Sequence, residues 1–200
     1  MMANKPKILL FDLGGVIVPW VGFEALSEST GLSREDIAAK FEQSDVFSAY
    51  ECGRVEDDVF LKELKAVFDL ESDDLASLWN SWVHPPFPGV IDALRHLKSE
   101  FTIACLSNTN ALHWAHLNKM FNTDAVFHHA FASHHIQSAK PDAQSYNIVL
   151  ETIGVKPHDV WFFEDTSINV NAARALGMTV HQIERKQGVL QTLKTLGLIS

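Results

Sequence analysis

Only two of the 200 residues are cysteines, Cys52 and Cys105, so no disulfide framework holds this chain together. Long apolar runs are missing too. The short stretch Ile8-Leu9-Leu10-Phe11 before Asp12 falls well below the length of a membrane span or a secretory leader, and a reducing cytoplasm is the expected setting. There is no lysine- or arginine-rich block. With 25 acidic against 16 basic residues the net charge is −9, which excludes a nucleic-acid backbone or an anionic membrane surface as main partner. No internal repeat or low-complexity tract is visible. What remains is a chain that is 46% hydrophobic, enough for one good core or a core with a small insert.

Three apolar runs have the length and bounding residues of buried parallel strands: Ile8–Phe11, Phe101–Leu106 and Val160–Phe163. Two weaker candidates are Ala130–Ala132 and Thr179–His181. Helical patterns lie between them. Tyr146, Val149, Leu150 and Ile153 share one face of a helix that Asp142 can cap, and Val90, Leu94 and Leu97 repeat the spacing. The alternation predicts an α/β fold with a doubly wound parallel sheet.

Residues 19–87 break this rhythm. Ser33-Arg34-Glu35-Asp36 has the form of a capping box; Phe60, Leu64, Val67 and Phe68 line one helix, and Leu75, Leu78, Trp79 and Trp82 another. Pro85-Pro86-Phe87-Pro88-Gly89 closes the stretch as a stiff return. The expected organisation is a core of residues 1–18 and 88–200 with a helical-bundle cap, 19–87, inserted after the first strand. Ligands of open α/β sheets bind at the carboxyl ends of the strands, so such an insert would cover the site.

Polar residues follow each strong strand. Asp12-Leu13-Gly14-Gly15 ends the first, Ser107-Asn108-Thr109-Asn110 the second, and Glu164-Asp165 the last, with Asn169 beyond; Lys140 precedes the helix near Asp142. Singly, each has an ordinary reading as a turn former, cap or surface charge. Together they suit phosphoryl transfer. A carboxylate can attack phosphorus and divide one hard hydrolysis into two steps. The mutual repulsion of the anions calls for magnesium held by carboxylates, a lysine, and a hydroxyl with nearby amides for the phosphate oxygens.

Four motifs in this order, FDLGGV, LSNT, KPD and FFEDTSINVNAA, resemble those of the haloacid dehalogenase-like hydrolases, in the branch with a helical cap after the first motif. The resemblance implies Asp12 as nucleophile and metal ligand, Asp165 as second metal carboxylate beside it, and a backbone carbonyl from Gly14 on the metal. It implies Ser107 as phosphate-binding hydroxyl with Asn108 and Thr109 nearby, Lys140 as neutralising cation, and Glu164 and Asn169 as supporting groups. It also exposes a departure. Most phosphatases of the family carry a general acid–base aspartate two residues after the nucleophile, where this chain has Gly14.

DLGGVIV and the later SNTNALH, with Asn110 and His113, are similar to bacterial sugar-phosphate phosphatases of the glucose-1-phosphate type that have glycine there. The implied enzyme is a Mg2+-dependent phosphatase of small phosphorylated metabolites, a monomer or small homo-oligomer, with proton transfer from water, Glu164 or a cap residue. The alternatives are a 2-haloacid dehalogenase, although no halide-binding arginine is recognisable, and a phosphate-binding protein of weak turnover. A receiver domain also uses Asp, Ser/Thr and Lys-Pro, but its acidic pair lies on the first strand.

Four other features are expectations of packing or solvation. The ten histidines lack a matching cysteine or carboxylate set for zinc, though His113 follows the Ser107 loop closely enough to approach substrate. Trp79 and Trp82 belong to the core of the cap. Trp20 is either a hinge residue or a substrate lid. Tyr50–Arg54 forms a loop between cap helices, with Arg54 solvated or turned to substrate.

Overall fold

The computed structural model describes residues 5–200; residues 1–4, which the expected core includes, lie outside it. The apolar run Ile8–Phe11 is strand β1, fully buried along its length. Five helices follow: α1 (Gly22–Thr30), α2 (Arg34–Gln43), α3 (Asp45–Glu51), α4 (Asp57–Phe68) and α5 (Leu75–Ser81). The chain then returns through α6 (Val90–Lys98) to β2 (Thr102–Ser107), α7 (Ala111–Met120), α8 (Thr123–Val126), β3 (His129–Ala132) and α9 (Ser133–Ile136). It ends with α10 (Ala143–Ile153), β4 (Val160–Glu164), α11 (Ser167–Ala175), β5 (Thr179–Gln182) and α12 (Leu190–Thr195).

All five strands pair in parallel, in the order β3-β2-β1-β4-β5. Alternation along each strand makes two cores. Leu9, Phe11, Ile103, Cys105 and Phe163 face one side of the sheet, and Ile8, Leu10, Ala104, Leu106 and Phe162 the other. The expected α/β fold is what forms. β1 has its expected limits, β2 starts one residue later and β3 one residue earlier than expected, and β2, β4 and β5 each end one residue later, where pairing runs on past the expected end. Ser107 pairs with Ala132, and Glu164 with Gln182.

The chain builds outward from β1 through β2 to β3, then crosses back to place β4 on the other side of β1. The reversal lies between β1 and β4, where a crevice opens beyond the strand ends. Phe11 and Phe163 are partners across it, and the next residues along the chain are Asp12 and Glu164.

The α1–α5 segment has its own core, centred on Leu26, Ile37, Phe47, Phe60, Leu64, Phe68 and Trp79. Ser33 caps α2 by accepting a hydrogen bond from the Asp36 amide at 3.1 Å. The segment is anchored to α9, which directly follows β3. The Ser133 hydroxyl lies 2.7 Å from the Glu51 carbonyl oxygen, and Gly53, at φ +66°, packs so tightly that a Cβ there would come 2.3 Å from the His134 carbonyl oxygen. Asp142 caps α10 as its sequence predicts, accepting from the Gln144 amide at 2.9 Å. Among the described residues no helix is long and apolar enough to cross a membrane.

Candidate active site

Asp12 follows β1 directly and is buried, with its backbone amide bonded to the Phe163 carbonyl oxygen at 2.9 Å. The chain must then turn sharply to leave the sheet. Gly15 makes this possible: its φ is +77°, and a Cβ would fall 2.4 Å from an Asp165 carboxylate oxygen. Gly14 is different. Its backbone is not left-handed, and a Cβ there would meet only the Trp20 Cβ, at 3.9 Å. Neither backbone nor space at this position requires glycine.

Lys140 holds the centre of the site. Its Nζ is 2.8 Å from Asp12 Oδ1 and 2.6 Å from Glu164 Oε2, in a setting almost sealed from water. Burial opposes its charge, but the two carboxylates outweigh that and hold its pKa above the ordinary lysine value. Burial and the nearby Asp12 charge push Glu164 up to about 7, against the pull of Lys140. Asp12 is also raised, by burial first and by Asp165 as well, with Lys140 opposing. The strand ends carry more negative charge than one lysine can balance.

Asp165 meets Arg185 instead, its Oδ2 accepting from Nε at 2.5 Å, while Oδ1 accepts from the Thr166 hydroxyl at 3.2 Å. Asp12, Glu164 and Asp165 each offer an oxygen within 4.8 Å of the others, the sole set of three or more His, Cys, Asp or Glu groups so placed among the described residues. The histidine pairs therefore form no metal cluster. Hard carboxylate oxygens and surplus negative charge fit a hard divalent cation. Asp12, Gly14 and Asp165, the residues expected to hold it, all line one cavity of about 350 Å³.

Ser107, Asn108, Thr109, Lys140 and Asn169 line the same cavity. Asn108 turns to Lys140, accepting from its amide at 2.8 Å and donating to its carbonyl oxygen at 2.7 Å. That clamp fixes the loop from which the lysine enters. The Thr109 amide donates to the Ser133 hydroxyl at 2.9 Å. Glu164 is locked as the counter-ion of Lys140, and its second oxygen accepts from the Thr166 amide at 3.0 Å. His113 reaches the cavity wall, but both ring nitrogens are engaged. Nε2 donates to the Trp79 carbonyl oxygen at 3.0 Å and Nδ1 lies 3.4 Å from the Asn110 amide nitrogen. Burial lowers its pKa to about 4, so the ring is neutral. Trp20 both packs, edge to face on Phe23, and lines the cavity.

Two residues escaped the sequence reading. Arg185, beyond β5, was hidden because nothing marked the loop after that weak strand. Glu51 is the last residue of α3, whereas the sequence placed it in a loop where Arg54 drew attention. Arg54 is exposed and Glu51 enters the cavity, 3.5 Å from Asn108 Nδ2. Burial is the main cause of its pKa rising to about 7, with Lys140 opposing and Asp12 reinforcing. A carboxylate before a Cys-Gly turn was visible, but its direction depends on the docking of residues 82 positions apart, Glu51 and Ser133.

Residues 6–177 match the sequence profile of the haloacid dehalogenase-like hydrolases. A sesquiterpene phosphatase of Aspergillus oryzae is 27% identical over 180 residues, 88% of this chain and 89% of that protein. A D-ribitol-5-phosphate phosphatase of Bacteroides thetaiotaomicron is 24% identical over 190 residues, 89% of this chain and 92% of that protein. Among solved structures, a haloacid dehalogenase-family enzyme of Bacteroides thetaiotaomicron in complex with magnesium superimposes with a TM-score of 0.82 at 24% identity, covering 96% of this chain and 100% of that one.

Proposed function

We propose, from the premise that this chain belongs to the haloacid dehalogenase-like hydrolases, that it is a magnesium-dependent phosphatase of small phosphomonoesters working through an aspartyl-phosphate on Asp12. The observation that carries this reading is the buried Asp12 carboxylate, 2.8 Å from the Lys140 ammonium and within 4.8 Å of the Glu164 and Asp165 carboxylate oxygens. The phosphatase names of two relatives support it, as does the magnesium bound by the structural neighbour.

Asp12, Asp165 and the Gly14 carbonyl would hold the ion, which when bound supplies charge neutralisation for the phosphate and the attacking carboxylate. Asp12 forms a bond to phosphorus as the bond to the leaving alcohol breaks. Lys140 screens the approach of one anion to another, and the Ser107 hydroxyl donates to a phosphate oxygen. Water then attacks phosphorus, releasing phosphate and restoring Asp12.

The leaving alkoxide needs a proton and the water must lose one. Gly14 can do neither, and Glu164 is held by Lys140. Glu51 faces the same cavity from the helical segment, which serves here as a cap, and it fits this task. As the acid it protonates the alkoxide; as the resulting carboxylate it takes the proton from water. A dehalogenase needs a free cation for halide, and the arginine in the cavity wall, Arg185, is paired with Asp165. The test is phosphate release from a panel of phosphomonoesters, sugar phosphates included, with and without magnesium. Release that requires the metal supports the phosphatase. Halide release from 2-haloacids without metal, or phosphate binding without turnover, would replace it.

A further inference from the structure

Beside the cavity at the strand ends lies another, of about 420 Å³, within the range of small-ligand pockets. The two share Trp20, Glu51, Asn108, Thr109 and His113 as wall residues, so they adjoin at the side of the site where Glu51 enters. The second cavity is walled by Trp20, Phe23, Phe41, Phe47, Phe60 and Trp79. These rings form an unbroken chain, each touching the next with centroids 4.8–6.1 Å apart. Phe47, Phe60 and Trp79 belong to the buried core of the segment, but Trp20, Phe23 and Phe41 are only half-buried.

Of the polar groups where the cavities adjoin, Asn108, Asn110 and His113 are already committed, leaving Glu51 and the Thr109 hydroxyl. Asn108 is bound to Lys140, Asn110 caps α7 and accepts from Trp79 Nε1 at 3.3 Å, and His113 is held by Trp79 and Asn110. Glu42 and Ser48 are polar but exposed, at the cavity's margin. A polyol seated there would lose water from its hydroxyls with few partners in return, whereas an apolar chain would exchange water for aromatic faces.

We propose that this aromatic cavity is the leaving-group subsite and that the substrate is the monophosphate of an apolar alcohol. The inference rests on the phosphomonoester reaction above and deepens it. The sugar phosphates implied by sequence resemblance would then be poor substrates.

A series of straight-chain alkyl phosphates, methyl to octyl, tests it directly, with glycerol and hexose phosphates in parallel. Each methylene that enters the cavity should raise kcat/KM by up to about fourfold, so octyl phosphate should exceed methyl phosphate by roughly a hundredfold or more. A flat series with polyol phosphates ahead would overturn the proposal. Binding separates it from the catalytic reading. If no ester is hydrolysed, the phosphatase fails, yet octylphosphonate should still bind far more tightly than methylphosphonate by calorimetry; equal affinities would sink the subsite. Ala38, on the cavity wall, supplies the plug. Ala38→Phe should lower the octyl-to-methyl ratio at least tenfold, and Phe41→Ser should do the same should the first variant not fold. An unchanged ratio in either folded variant would count against the subsite.

Discussion

Gly14 and Glu51 line one cavity: the position without a side chain, two residues after Asp12, and a carboxylate brought from the helical segment to the same space. In the proposed mechanism this pairing lets a site lacking the usual acid–base position move a proton. If Glu51 does so, Glu51→Gln should cut kcat/KM for unactivated alkyl phosphates by about 10²-fold or more, within the usual range for general acid–base catalysis. For para-nitrophenyl phosphate, whose leaving group needs little help, the loss should stay within about fivefold. Equal losses on both esters would point to a structural role instead.

The pH profile follows from the same group. Burial pushes the Glu51 carboxyl up to about 7, and in the proposed mechanism its protonated form serves the leaving group. For poor leaving groups, kcat/KM of the wild type should therefore fall as pH rises through about 7. That limb should vanish in Glu51→Gln. Its persistence there would assign it to another group.

At Gly14 the backbone is not left-handed and a new Cβ would meet only the Trp20 Cβ, at 3.9 Å, so Gly14→Asp meets no obstacle at its first side-chain atom. In the Glu51→Gln background this substitution should restore at least tenfold of the lost rate on alkyl phosphates, by supplying an acid from the core. Steady-state kinetics of the double variant decide it. No recovery in a folded, phosphate-binding protein would contradict the account of Gly14.

Lys140 balances two buried carboxylates, so Lys140→Met should abolish turnover and destabilise the fold by about 3–5 kcal/mol at neutral pH. The sign with pH is set by Asp12 and Glu164, whose folded pKa values already lie above the ordinary range. Raised carboxylate pKa values mean that stability is lost as pH rises through them. The deficit of the variant should thus be larger at pH 8 than at pH 5 in denaturant titrations. A deficit that grows towards low pH would reverse this picture.

Gly53 seats the Glu51 turn on α9. With φ at +66° and a backbone oxygen 2.3 Å from any Cβ, Gly53→Ala should cost about 1–3 kcal/mol, seen as a lower melting temperature. Gly31 has a similar φ of +72° but open space around it, so Gly31→Ala should cost less. Equal melting points for the two variants would deny the tight docking.

Much of this was legible because the sheet enforces it. Four buried residues per strand mark β1 without ambiguity, and whatever follows a strand in a parallel sheet must appear at one edge. Asp12, Ser107, Glu164 and Asp165 were found that way. Strand ends were less legible, since Ser107 and Glu164 are polar yet still paired in the ladder. Glu51 and the aromatic cavity were not legible at all. Helical periodicity tells which residues of α3 face inward, but not how the whole segment sits on the sheet. That is set by contacts such as Ser133 to Glu51 and Gly53 to His134, between residues some eighty positions apart.

The central claim is that Asp12 attacks phosphorus in a metal-dependent phosphatase. Phosphate release by wild type and Asp12→Asn, each with magnesium and with a chelator, tests it most directly on the best alkyl phosphate. The wild type should release phosphate with magnesium but not with the chelator, and Asp12→Asn should lose about 10³-fold or more, in line with removal of a covalent nucleophile. Undiminished release by folded Asp12→Asn would contradict it.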